Sequence, residues 1–112
     1  MSRDYRLFLE DILESCTRIE RYTQEISFDQ FVKDDKTYDA VLRNLEIIGE
    51  AVKNLPEEFR DRYHQVEWRK LAGLRDIVAH EYFGVSDEIV WDIVQNKISL
   101  LRQEIEEIIR QD

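Results

Sequence analysis

Apolar residues recur at three- and four-residue steps along most of the chain, the spacing that puts them on one face of an α-helix. Tyr5, Phe8, Leu9, Ile12, Leu13, Cys16 and Ile19 make the first stripe and predict a helix from about Arg3 to about Gln24. Ser27 or Asp29 suits the cap of a short turn that holds Phe28, Phe31 and Val32, and Asp34-Asp35 places acids at the positive end of the next helix. Its stripe runs through Tyr38, Val41, Leu42, Leu45, Ile48, Val52 and Leu55 until Pro56, which cannot continue a helix. Glu57-Glu58-Phe59 reads as the first turn of a short helix behind that proline. A third long pattern, Trp68, Leu71, Ala72, Leu74, Ile77 and Val78, ends near Tyr82-Phe83-Gly84, where Gly84 suits the left-handed residue beyond a helix end. Ser86 followed by Asp87 and Glu88 opens the last stripe, Val90, Ile93, Val94, Ile98, Leu101, Ile105 and Ile108.

No strand-like alternation, internal repeat or low-complexity tract interrupts this pattern. Long amphipathic helices with short connections predict an all-α fold: an antiparallel four-helix bundle with an additional short helix, in a single domain over residues 1–112. Within the second stripe, Gly49 and Ala51 allow a neighbouring helix to approach closely, at the propensity cost glycine carries. Tyr5, Phe8, Tyr38 and Trp91 sit at helical spacing and are expected in the core or an interface.

Composition narrows the setting. A single cysteine, Cys16, rules out an intramolecular disulfide and points to the cytoplasm. The first residues are broken by Glu10, Asp11 and Glu14, so no signal-like run is expected there, and no stretch has membrane-spanning length. The net charge of −9 argues against a broad phosphate-binding surface. The charge is uneven, however: between Arg60 and His80 the chain carries Arg60, Arg62, Arg69, Lys70 and Arg75 against Asp61, Glu67 and Asp76. Such an island either admits a short polyanion into an acidic protein or is a solvated face of mixed charge.

Histidine is the usual general acid or base near neutral pH, and the chain has two, His64 and His80. His64 lies in the polar connector Arg62-Tyr63-His64-Gln65, where an exposed histidine needs no function. His80 is the better candidate because of its neighbours. Asp76 is one helical turn away on the same face, able to orient the ring. Arg75 and Tyr82, seven apart, nearly share a face. Arg75 and His80 do not: five residues apart on a straight helix, they diverge by about 140°. Either the helix distorts before His80, or the site is a groove collecting side chains from both faces, with or without a second subunit.

Arg75, four residues, His80, one residue and Tyr82 reproduce an Arg-x4-His-x-Tyr motif, and the chain thereby resembles the HepT-like toxins of the HEPN superfamily. The resemblance extends to Phe8-Leu9-Glu10-Asp11-Ile12, to Asn44-Leu45-Glu46-Ile47-Ile48-Gly49-Glu50-Ala51, to the approach Trp68 to Arg75 and to the last helix. It implies a HEPN-like fold and a metal-independent endoribonuclease without cofactor, with RNA as substrate, acting as the toxin of a type VII toxin–antitoxin pair. It further implies a homodimer or higher even oligomer. Arg75 and His80 are the implied catalytic residues, with Asp76 and Tyr82 in support. The implied partner is an MntA-like minimal nucleotidyltransferase antitoxin that transfers AMP to Tyr82. The alternative is a non-catalytic partner or substrate-binding subunit of a minimal nucleotidyltransferase.

Overall fold

The computed structural model describes residues 3–81 and 86–111, and all that follows concerns these. They form eight helices and no strand: α1 (Arg3–Tyr22), α2 (Phe28–Lys33), α3 (Asp35–Asn54), α4 (Glu57–Arg62), α5 (Trp68–Ala72), α6 (Leu74–Glu81), α7 (Asp87–Asn96) and α8 (Ile98–Gln111). The all-α expectation holds, and the caps explain where several helices begin. Ser27 accepts the Gln30 N–H at 3.1 Å while Gln30 Oε1 accepts the Ser27 N–H at 2.8 Å, a reciprocal box that starts α2. Asp34 caps α3 through Thr37, and Ser86 caps α7 through Ile89. Pro56 lies just after the end of α3 and is itself the residue before α4.

Two stripes that read as continuous are broken. The third divides at Gly73, whose N–H closes α5 on the Arg69 carbonyl at 3.2 Å and whose own carbonyl accepts the first bonds of α6, from Asp76 and Ile77. The last divides at Lys97, whose N–H still bonds Ile93 O at 3.0 Å as α8 begins from its carbonyl.

α3 is the central helix, with α1 on one side and α5–α6 on the other; α8 covers the far side of α1. Tyr5, early in α1, stacks edge-on against Phe59 just past the end of α3, so α1 and α3 are antiparallel. Arg102 near the start of α8 donates to Glu20 near the end of α1 at 2.6 Å, and Gly49 late in α3 meets Arg75 early in α6, so these pairs are antiparallel too. The shared core is fully buried: Leu9, Ile12, Cys16 and Ile19 from α1, Val41, Leu45, Ile48 and Val52 from α3, and Ile98, Leu101, Ile105 and Ile108 from α8. Burying a side chain of this size stabilises by about 1.5–3 kcal/mol, far more than any surface contact in the molecule.

Aromatic clusters close two ends of this core. Phe31 packs on Tyr38 and Trp91, with ring centroids 4.8 and 5.0 Å away, and Tyr38 donates to the Asp87 carboxylate at 2.6 Å. At the other end Phe59 lies against Tyr5, Tyr63 and Trp68, and the Trp68 indole N–H donates to the Tyr63 carbonyl at 3.0 Å. Among the described residues no helix is long and apolar enough to cross a membrane.

Candidate functional site

The short helix α6 carries Arg75, Asp76 and His80, and its apolar positions explain its seat. Leu74 and Val78, one turn apart, are buried against the core, with Ile77 partly covered beside them. Arg75 and Asp76, next to Leu74 in sequence, are therefore turned out and exposed. Asp76 lies in the first turn of α6, where a carboxylate is favoured by the positive end of the helix dipole.

α6 runs as unbroken helix from Leu74 to Glu81, so a distortion between Arg75 and His80 is not what joins the motif. The irregularity comes earlier, at Gly73, and the two positions remain on different faces of a regular helix. Asp76 and His80 keep the one-turn spacing read from the sequence. The His80 side chain lies outside what the structure describes, as do all of Tyr82 and Gly84.

Arg75 has a definite environment that the sequence did not announce. Its Nη1 stands 2.9 Å from Glu50 Oε2, the carboxylate of the central helix α3. The pair lies in an open groove of about 540 Å³ between α1, α3 and α6, bordered also by Asp11 and Glu46. Arg43, in the same groove, is held by Glu46 at 2.6 Å. Gly49 is the reason α6 can come so close. A Cβ built at Gly49 would stand 3.0 Å from Arg75 Cγ, 3.1 Å from Arg75 N and 3.3 Å from the Leu71 carbonyl. The close approach expected of Gly49 is thus real, and what approaches is the motif arginine and the turn before it. A carboxylate directly following a glycine of this kind is the one trace of Glu50 in the sequence.

The rest of the basic island does not converge on Arg75. Arg60, His64, Arg69 and Lys70 border a separate, more open notch of about 710 Å³ between α4 and α5. There Lys70 pairs with Glu67 at 2.7 Å, a contact that holds the Glu67 carboxyl below and the Lys70 ammonium above their ordinary values. His64 is exposed, as its connector position suggested. Among the described residues Arg60, Arg62 and Arg69 have no ion pair, although Arg62 lies over the Tyr63 ring. No group of three or more histidine, cysteine, aspartate or glutamate side chains among the described residues is arranged to hold a metal ion. Cys16, the one cysteine, is buried on the α1 stripe, and that burial pushes its thiol up to about 12.

Comparison with known proteins gives the family of the chain. A family described as "Ribonuclease HepT-like" matches residues 12–108. A Methanocaldococcus jannaschii protein named "Putative RNase MJ0127" is 55% identical over 108 residues, covering 96% of this chain and 89% of its own. "Putative RNase TTE0752" of Caldanaerobacter subterraneus is 45% identical over 107 residues, covering 96% of each. "Probable ribonuclease HepT" of Thermococcus cleftensis is 43% identical over 108 residues, covering 96% of this chain and 98% of its own. No solved structure matches the chain significantly.

Proposed function

This chain belongs to the ribonuclease HepT-like family, and from that premise we propose that it is a metal-independent endoribonuclease whose active residues are Arg75 and His80. The observation that carries the reading is α6 itself: a regular helix, anchored by Leu74 and Val78, that exposes Arg75 and carries His80 one turn after Asp76. RNA brings its own nucleophile, the 2′-hydroxyl, so the protein need only move protons and steady the charge that grows on the phosphate. His80 moves the proton, Asp76 orients the ring, and the Arg75 guanidinium holds the phosphate through charge-assisted bonds. Tyr82 supports the substrate by stacking or hydrogen bonding.

Positions 75 and 80 face different ways on one helix, which supports a cleft completed by a second copy, in a homodimer or higher even assembly. We read the protein as a cytoplasmic single-domain toxin of a type VII pair, silenced when an MntA-like nucleotidyltransferase transfers AMP to Tyr82. A phosphodiester on that phenol adds negative charge two residues from His80, which repels RNA. Three measurements test the reading. Purified protein should cleave single-stranded RNA in the presence of EDTA and scatter light as an even oligomer. Incubation with the partner and ATP should add AMP-sized mass to the wild type and none to Tyr82→Phe. Cleavage by a monomer, or adducts that persist in Tyr82→Phe, would remove the corresponding assignment.

A further inference from the structure

We propose that Glu50 is the positioning residue for Arg75, a role that rests on the ribonuclease reading above: its carboxylate holds Nη1 and leaves Nη2 and Nε to meet the phosphodiester. The 2.9 Å contact joins two side chains that are 43% and 56% exposed. Pairs this open to water add little to stability, so the contact is poorly explained as a brace for the fold. It is well explained as a way of restricting a long, rotamer-rich side chain. Among the described residues Glu50 is the one ion-pair partner of Arg75.

The surroundings agree. Gly49 and Glu50 are consecutive on α3, and they act on the same residue in two ways. The missing side chain at Gly49 lets the Arg75 backbone and Cγ come within contact, and the next side chain catches the guanidinium. Of the groove's other charges Glu46 is paired with Arg43 and Asp11 is left over, so the α1–α3 side carries a net negative charge and a phosphate reaches Arg75 from the opposite one. A planar guanidinium can be held by one nitrogen and still present two others, which a lysine ammonium at position 75 cannot do.

The test is single-turnover and steady-state cleavage of a short single-stranded RNA by the full chain and by Glu50→Ala, Glu50→Gln, Arg75→Ala and the Glu50→Ala/Arg75→Ala double variant. Circular dichroism confirms that each is folded. Glu50→Ala should lower kcat about ten-fold or more while KM moves less than about three-fold. Glu50→Gln, whose amide oxygen can take a hydrogen bond from Nη1, should recover most of that loss. In the Arg75→Ala background, Glu50→Ala should add nothing. An unchanged kcat, a KM that falls at constant kcat, a folded Glu50→Gln as slow as Glu50→Ala, or an equal further loss on top of Arg75→Ala would each overturn the role. Nitrogen-15 NMR of the arginine side chains separates this inference from the function it rests on. Whether or not the wild type cleaves RNA, the Arg75 guanidinium should rotate slowly in the wild type and freely in Glu50→Ala, and equal rotation in both would refute the anchoring. Absence of cleavage by the wild type would instead count against the ribonuclease reading.

Discussion

The frame of α1, α3 and α8 and the shoulder of α4, α5 and α6 are built from similar residues to opposite ends. In the frame the apolar stripes of α1 and α3 each run through 20 residues without a break, and most of the arginines are paired. Arg6, Arg18, Arg43, Arg102 and Arg110 each lie against a carboxylate. The shoulder has helices of five to eight residues, separated by a turn and a glycine, and it keeps Arg60, Arg62 and Arg69 without ion pairs among the described residues. Short helices are not stable alone and must borrow their order from what they pack on. The proposed chemistry therefore sits on short helices that lean on α3, which supplies both the surface they pack on and the carboxylate beside Arg75.

If this division is right, stability and activity should separate. Arg75→Ala and His80→Ala should each reduce RNA cleavage at least about a hundred-fold, the scale of a lost phosphate clamp or general acid–base. Their urea midpoints should stay close to the wild type. Leu45→Ala, in the middle of the frame and fully buried, should do the reverse. It should cost about 2–5 kcal/mol of stability, with the surviving folded fraction cleaving RNA at the normal rate. A catalytic variant that unfolds, or a Leu45→Ala that keeps full stability, would erase the contrast.

The same contrast marks what could be read in the sequence. The stripes of α1 and α3 were legible because nothing interrupts them, and the proline and serine signals around them set most boundaries correctly. The breaks were not. At Lys97 the apolar positions Val94, Ile98 and Leu101 keep helical spacing across the break, and lysine is no helix breaker. At Gly73 the glycine was visible, but a lone glycine inside a helical pattern is commonly tolerated. The motif is visible in the sequence because its members lie within one short segment, of which α6 carries Arg75, Asp76 and His80. The Arg75 partner was not, because Glu50 is on another helix and helix periodicity describes one helix at a time. The island of positive charge was seen as one feature and is two: the notch at Arg60 and Arg69, and the separate groove at Arg75.

Alkaline pH probes the frame from inside. Cys16 has its thiol raised from 9.0 to about 12, because burial disfavours the thiolate. The unfolded chain thus loses this proton first. The stabilisation due to the neutral thiol is whole below about pH 9 and is lost progressively as pH rises toward about 12. Urea unfolding between pH 8 and pH 11 should show a steeper decline in the wild type than in Cys16→Ala. Reaction of the native thiol with a disulfide reagent at pH 8 should be slow and limited by unfolding. Fast reaction would mean that α1 opens locally and that the frame is less uniform than its packing implies.

Gly49→Ala tests the seam between the two regions. The added Cβ meets the Arg75 N and Leu71 O backbone atoms at 3.1 and 3.3 Å, and these move only if α5 and α6 move. Overpacking of this kind costs about 1–3 kcal/mol, offset by about 1 kcal/mol from the better helix propensity of alanine. The expected result is a small net destabilisation with a larger loss of cleavage, as Arg75 is pushed from Glu50. A more stable Gly49→Ala with normal cleavage would show that the shoulder slides on α3 and that its position is not what sets activity.

The smallest effect belongs to Ser27→Ala, which removes one half of the box that starts α2. The Gln30 N–H loses its acceptor, and the Gln30 side chain loses the geometry that holds it on the Ser27 N–H. Caps of this type are worth about 1 kcal/mol. The loss should appear in the urea midpoint and in faster amide exchange confined to the first turn of α2. α2 reaches the rest of the molecule through Phe28 and Phe31 on Tyr38 and Trp91, a cluster distinct from the one at Phe59 where the shoulder begins. Cleavage of RNA should accordingly be unchanged when the variant is assayed well below its melting temperature. A drop in kcat without a matching drop in folded fraction would mean that this end of the frame communicates with α6, and the separation of stability from chemistry would have to be redrawn at α2.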